Sequence, residues 1–226
     1  MPKPDFTGSN DDNRALGYLV LICFVASLGG FLFGFDTAVI SGTVEQVEAQ
    51  FQLSKMLVGV FTSSALVGCI IGALGAGWIG DRYGRKPSLI LAAFLFFISA
   101  FGSTFPPSYF VLLPARFIGG IGVGIASVLA PMYISEFAPA KIRGRLVALY
   151  QLSIVIGILL AYFSNWRIRL YAEGFVDAPM TEGIWHVVMI SQSWRGMFGA
   201  EMIPAGLFII LLLTVPESPR WLVKAG

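Results

Sequence analysis

Residues 29–42 read GGFLFGFDTAVISG, and they place one carboxylate, Asp36, inside an apolar run that begins near Leu16. A run of this length and composition predicts a membrane-spanning helix. An ionisable side chain in the hydrocarbon interior costs several kcal/mol unless it finds a partner or a water-filled cavity. Asp36 is therefore the first candidate for a functional residue.

The composition is that of an integral membrane protein. Hydrophobic residues make up 56% of the 226 residues and charged residues only 12%, whereas charged residues make up about 25% of soluble domains. The net charge of +2 and the scattered basic residues argue against nucleic-acid binding. The polar residues 1–13 lack the basic region of a secretory signal, so we expect the first helix to be retained. Cys23 and Cys69 lie in apolar runs, where free thiols are usual.

Six apolar runs come near the roughly 20 residues that a bilayer-crossing helix needs. They cover residues 16–42, 57–80, 87–105, 109–137, 146–165 and 196–215. No segment alternates with the period of a strand, so the sequence predicts an all-α membrane protein with a single six-helix domain over residues 1–226. The Gly-x-x-x-Gly pairs Gly68/Gly72 and Gly120/Gly124 predict close helix crossings.

The distribution of Lys and Arg predicts the orientation. With a cytoplasmic N-terminus, ten basic residues fall on the cytoplasmic side and four on the other. The ten are Lys3, Arg14, Arg82, Arg85, Lys86, Lys141, Arg143, Arg145, Arg220 and Lys224; the four are Lys55, Arg167, Arg169 and Arg195. This asymmetry predicts a multi-pass protein of the cell membrane with both termini in the cytoplasm.

Three charges inside the apolar runs are predicted to share one layer of the membrane. At 1.5 Å of rise per residue, Asp36 lies about 9 Å below Gly42, and Arg116 and Glu201 come to about 10 Å and 9 Å below the same outer face. An acid and an arginine at matched depth would pair, and a second acid leaves one carboxylate free to take a proton. A static structural ion pair is the alternative.

Several motifs carry a family resemblance. GWIGDRYGRK at residues 77–86 resembles the signature loop of the major facilitator superfamily. PMYISE at 131–136, RGR at 143–145, Gln151 and PESPRWL at 216–222 resemble the sugar porter family. The resemblance covers nearly the whole chain and implies the N-terminal six-helix half of that fold, itself a 3+3 inverted repeat.

The resemblance implies a proton-coupled transporter of a monosaccharide, a pentose or a hexose. It makes Asp36 the protonatable acid, Arg116 its partner and Glu201 an acid found in bacterial members. Gln151 would hydrogen-bond sugar hydroxyls and Phe33 would pack on the sugar ring. Without the resemblance, Gln151 is equally well interpreted as a helix-packing amide, and Phe33 is better interpreted as core or lipid packing. The proton gradient would supply the driving force, with no cofactor and no metal.

The same resemblance implies a cytoplasmic gate of ion pairs. Its members would be Asp81, Arg85, Glu136, Arg143, Glu217 and Arg220. Solvated loop charges that only orient the protein are the alternative, because exposed ion pairs each contribute little.

Two local features depart from the resemblance. Ile158 stands where a second sugar-binding glutamine is expected, which leaves the sugar undetermined. The loop predicted over residues 165–194 is longer than expected, and His186 within it is interpreted as a loop residue near the outer interface rather than a pH sensor.

The resemblance also covers only one half of a twelve-helix fold, in which the substrate binds between two halves. Three hypotheses therefore remain: a half-size transporter that works as a homodimer by alternating access, an inactive truncated fragment, and a membrane sensor or interaction protein on this scaffold. A buried ion pair favours transport. An enzyme is not expected, because one histidine and two apolar cysteines assemble no catalytic site.

Overall fold

The computed structural model describes residues 9–175 and 183–225, with side chains described for 17–175 and 183–224. It confirms six apolar helical spans, and the described part contains no strand. The first five spans are α1 (Ser9–Phe51), α2 (Lys55–Tyr83), α3 (Arg85–Thr104), α4 (Tyr109–Phe137) and α5 (Arg143–Gly174). The sixth is divided into α7 (Ser193–Ala200) and α8 (Met202–Thr214).

Short helices flank this last span. The helix α6 (Ile184–His186) runs into one π-helical turn, Val187–Ser191, and α9 (Pro219–Ala225) follows the span. The predicted loop over residues 165–194 is therefore wrong in large part. Its first ten residues belong to α5 and His186 lies in α6, while residues 176–182 lie outside the described part.

Two predicted helix boundaries are also wrong, because helices extend past the apolar runs. The helix α1 continues nine residues beyond Gly42 to Phe51, and α5 continues nine beyond Asn165 to Gly174. The α1 extension buries Val47 and the α5 extension buries Ile168. These contacts, together with the backbone hydrogen bonds that a helix keeps, stabilise the extensions where the sequence is polar.

Helix crossings are close where glycines were predicted to pack. A Cβ on Gly68 or Gly72 of α2 would collide with the backbone carbonyls of Phe117 and Ile121 on α4. The helices α1 and α5 cross in the same way, since a Cβ on Gly157 would collide with the Phe31 carbonyl. The cysteines Cys23 and Cys69 are free, as expected.

The buried apolar side chains form two clusters stacked along the bundle. The larger includes Leu32, Phe96 and Phe208, and the smaller includes Phe61 and Trp194. Every span except α3 contributes buried residues to both clusters. Three buried charged residues, Asp36, Arg116 and Glu201, lie near the boundary between the clusters.

Candidate functional site

The centre of the candidate site is a buried triad, Asp36, Arg116 and Glu201. These residues are 6%, 1% and 1% exposed, respectively. Arg116 Nη1 donates a hydrogen bond to Asp36 Oδ1 at 2.5 Å and lies 4.0 Å from Glu201 Oε2. The structure therefore brings together three residues that the sequence placed in one layer, while their roles in coupling stay a prediction.

The hydrogen-bond capacity of the buried triad is only partly used. Among the described residues, neither carboxylate oxygen of Glu201 has a hydrogen-bond partner. Arg116 Nε also has none among them. The Arg116 guanidinium carbon also lies 5.0 Å from the centre of the Phe198 ring. Arg116 thus has one bonded acid and one unbonded acid within reach, an arrangement in which the cation can change partner.

The two predicted sugar-binding residues lie outside the buried triad. Gln151 is exposed on α5, and no described residue hydrogen-bonds its side chain. Phe33 is half-buried against the larger apolar cluster, and its carbonyl accepts a hydrogen bond from the exposed Thr37 at 2.8 Å. Ile158, at the position where glutamine was expected, is half-buried against the smaller cluster. An unbonded amide on an open face is suited to bind a polyol.

Four of the six predicted gate residues come together near the C-terminal end of α2. We term them the Arg85 network; they are Asp81, Arg85, Glu136 and Glu217. Arg85 contacts Asp81 at 2.9 Å and Glu136 at 3.1 Å. Glu217 accepts from the backbone N–H groups of Arg85 and Lys86 at 3.0 and 3.2 Å, so it caps the start of α3. A carboxylate at a helix N-terminus satisfies donors that the helix cannot.

The other two gate residues do not join the Arg85 network. Arg143 donates to the Ala138 carbonyl at 3.4 Å, and Arg220 is exposed. In the part of the chain that the structure describes, neither has an ion-pair partner. The predicted six-residue cluster is therefore incomplete within a single chain, because α9 directs Lys224, rather than Arg220, toward Asp81.

Sequence reasoning missed the residues that complete the Arg85 network. Ser218 donates to Glu136, and Lys224 Nζ contacts Asp81 Oδ2 at 3.1 Å. Trp221 Nε1 donates to the Asp81 carbonyl at 3.0 Å. The PESPRWL motif pointed to this segment, but the contacts of Lys224 depend on the helix α9, which no apolar run predicted.

Six membrane-length helices, with an ion triad buried between apolar clusters and ion pairs at one end, are the features of a multi-pass membrane protein. The family model described as "Sugar (and other) transporter" matches residues 22–226. The chain belongs to the sugar porter family of the major facilitator superfamily.

Relatives include the glucose transport protein of Synechocystis sp., 49% identical over 92% of this chain and 43% of that protein. The D-xylose-proton symporter of Escherichia coli is 45% identical over 92% of this chain and 45% of its own length. The arabinose-proton symporter of Bacillus subtilis is 41% identical over 95% of this chain and 44% of its length.

Solved structures agree with this assignment. The proton:xylose symporter bound to 6-bromo-6-deoxy-D-glucose superposes with a TM-score of 0.81 at 44% identity, over 93% of this chain and 47% of that one. A partially occluded inward-open conformation of the E. coli xylose transporter also gives 0.81, at 45% identity over 92% and 52% of the two chains. The chain spans about half the length of the curated relatives it matches.

Proposed function

We propose that this chain is a half-size sugar porter that works as a homodimer and moves a pentose or hexose together with a proton by alternating access. The buried triad is the observation that carries the proposal. Two acids share one arginine in an interior where each unpaired charge costs several kcal/mol, so a purely structural role would be served as well by apolar side chains. Relatives at 41–45% identity are named as proton symporters of sugars.

Proton coupling would follow from the way Arg116 is shared. A proton that binds Asp36 removes the negative charge that Arg116 contacts at 2.5 Å. Glu201, at 4.0 Å, is then the remaining acidic partner of the guanidinium. Protonation would therefore change whether Arg116 connects α4 to α1 or to the α7–α8 span. It would shift the equilibrium between two arrangements of the helices.

The sugar would bind on the open face of α1 and α5. The Gln151 amide both donates and accepts hydrogen bonds, which matches vicinal hydroxyl groups. Phe33 of α1, half-buried against the larger apolar cluster, offers an apolar ring. With Ile158 in place of a second amide, the face formed by α1 and α5 supplies fewer polar contacts than the family pattern. The identity of the sugar would then depend more on the facing wall, the opposite side of the binding cavity.

The facing wall would come from a second copy of the chain. The helices α2 and α5 are the least buried spans, and they expose large apolar residues such as Leu66, Leu74 and Leu159. Two copies inserted in the same direction, both termini in the cytoplasm, can meet through these faces about an axis along the membrane normal. Gate residues would then form ion pairs across the dimer, since Arg143 and Arg220 have no ion-pair partner among the described residues of one chain. The residues of this lock are Glu136, Arg143, Glu217 and Arg220.

Two other functions remain as outcomes of the test. An inactive fragment of a twelve-helix porter would bind no sugar and move no protons, and a sensor on this scaffold would bind sugar without moving protons. Each differs from the proposal in a measurable quantity.

The test uses proteoliposomes with a pH-sensitive dye trapped inside. D-xylose or D-glucose added outside should acidify the lumen, because an inward sugar gradient drives protons inward. Gln151→Ala should weaken sugar binding by about 1–3 kcal/mol, the usual cost of an unpaired polar group in a desolvated site. Leu91→Ala, at an exposed residue of α3 that belongs neither to the sugar site nor to the proposed dimer face, is the control and should match wild type. Sugar binding without acidification would contradict symport, and equal effects of the two variants would contradict the sugar site.

A further inference from the structure

The last membrane span is interrupted at the residue that carries its buried carboxylate. The helix α7 ends at Ala200 and α8 begins at Met202; Glu201 between them keeps helical dihedrals (φ −65°, ψ −25°), so the interruption is one of the hydrogen-bond pattern. The Glu201 N–H donates to the Phe198 carbonyl at 3.1 Å, three residues back rather than four. Pro204 lies four residues after Ala200 and has no N–H to donate to that carbonyl. The interruption is therefore encoded in the sequence.

The last span presents two groups to the same guanidinium, Phe198 from α7 and Glu201 from the interruption itself. The Phe198 ring centre lies 5.0 Å from Arg116 Cζ, and Glu201 Oε2 lies 4.0 Å from Arg116 Nη1. Residues three apart share one helix face, which explains why both can reach Arg116. Phe198 is fully buried, and a cation is attracted to an aromatic face more strongly away from water.

We propose that Phe198 and Pro204 are positioning residues of the buried triad. Phe198 holds the Arg116 guanidinium, and the interruption caused by Pro204 holds the Glu201 carboxylate near that guanidinium without a hydrogen bond. In a regular helix, the segment around Glu201 would be rotated differently relative to α4. This rotation would change the relative strength of the contacts that Arg116 makes with Asp36 and with Glu201. The inference rests on the proposed function, in which that division couples protons to sugar.

Few charges face Glu201. The pH at which its carboxylate titrates therefore depends mainly on its position relative to Arg116 and Asp36. Arg116 of α4 and Asp36 of α1 lie beside it. The other helices packed on α7 carry their charges elsewhere: α3 only at Arg85 and Lys86, its first residues, and α5 within its first three and last eight residues. The helix α8 has no charged residue, and Arg195 of α7 donates to the Thr104 and Pro106 carbonyls. On α1, the next charges after Asp36 are Glu45 and Glu48.

The experiment is a pH titration of the membrane-reconstituted chain by infrared difference spectroscopy, following the absorption of protonated carboxylic acids. Glu201→Gln identifies the contribution of Glu201. Pro204→Ala and Phe198→Leu should each shift the midpoint of that contribution by about tenfold in proton concentration, the scale on which a charge partner acts at this distance. Phe198→Tyr, which keeps the ring, should titrate like wild type.

Two matched controls test for general damage. Pro131→Ala makes the same change inside α4, fifteen residues beyond Arg116, and Phe208→Leu makes the same change at a fully buried residue of α8. Both should lower thermal stability at most and leave the midpoint unchanged. An unchanged midpoint in Pro204→Ala and Phe198→Leu, an equal shift in the controls, or no band lost in Glu201→Gln would overturn the inference. The titration needs no sugar, so a failure of transport alone would contradict the proposed function and leave this result intact.

Discussion

Arg116 brings a full positive charge into the apolar interior, where it is 1% exposed and contacts Asp36 at 2.5 Å. Removing ions from water is costly, and the attraction between partners offsets that cost only while both are present. Breaking a buried pair therefore leaves an uncompensated charge. In this bundle two carboxylates, on α1 and between α7 and α8, depend on the same cation.

This dependence makes Arg116→Gln strongly destabilising. We expect a loss of about 3–5 kcal/mol in the free energy of unfolding, the range for breaking a buried ion pair. The measurement is unfolding in a mixed-detergent titration. Arg169→Gln is the matched control, because Arg169 is 65% exposed and pairs with Glu173 on the same helix at 3.1 Å; it should unfold close to wild type. Equal destabilisation by the two changes would show that the buried triad has no special energetic role.

The contact between Asp36 and Arg116 could be predicted from residue counting, but its details could not. The count took Gly42 as the end of the first helix, whereas α1 ends at Phe51. The predicted pair nevertheless forms, because counting from the ends of the apolar runs matched the positions of the charges along the bundle, wherever each helix itself ends. Which acid bonds Arg116, and that Phe198 lies against it, depend on helix rotation, which no one-dimensional count contains.

Among the elements, the apolar runs predicted the number and type of the membrane helices, and the glycine pairs predicted the α2–α4 crossing. The polar ends of α1 and α5 escaped prediction because they are stabilised by contacts with distant segments. Gln46 Oε1 accepts from the Trp194 N–H at 3.0 Å, and Gln50 Oε1 accepts from Trp194 Nε1 at 2.7 Å. Trp194 thus connects the α1 extension to the start of α7 through two hydrogen bonds.

We therefore expect Trp194 to be a principal stabiliser of the α1 extension. Trp194→Ala should cost about 3–5 kcal/mol, as for other buried aromatic side chains. Trp194→Phe keeps one aromatic ring but loses the hydrogen bond to Gln50 and part of the packing, so it should cost less, about 1–3 kcal/mol. Unfolding of the two variants is compared with that of Trp185→Ala, a control in which the tryptophan is 64% exposed. Trp194→Phe as damaging as Trp194→Ala would contradict the proposed importance of packing, and an effect of the control as large as either would contradict the assignment.

For the whole molecule, the open question is what covers the exposed faces of α2 and α5. The homodimer proposal predicts two subunits per functional unit, which single-molecule photobleaching in liposomes counts directly. A tandem fusion of two copies should transport sugar, and one Asp36→Asn copy within it should reduce proton movement per sugar. Active monomers, or an inactive fusion with both copies intact, would contradict the dimer.

The central claim is that Asp36 links proton movement to sugar movement, and its most direct test compares two modes of transport by one variant. Proteoliposomes carrying Asp36→Asn are assayed for uphill sugar accumulation under an inward proton gradient, and for counterflow exchange with sugar on both sides and no gradient. An amide cannot exchange the proton, so accumulation should disappear while counterflow continues. Accumulation at the wild-type level by Asp36→Asn would contradict the account.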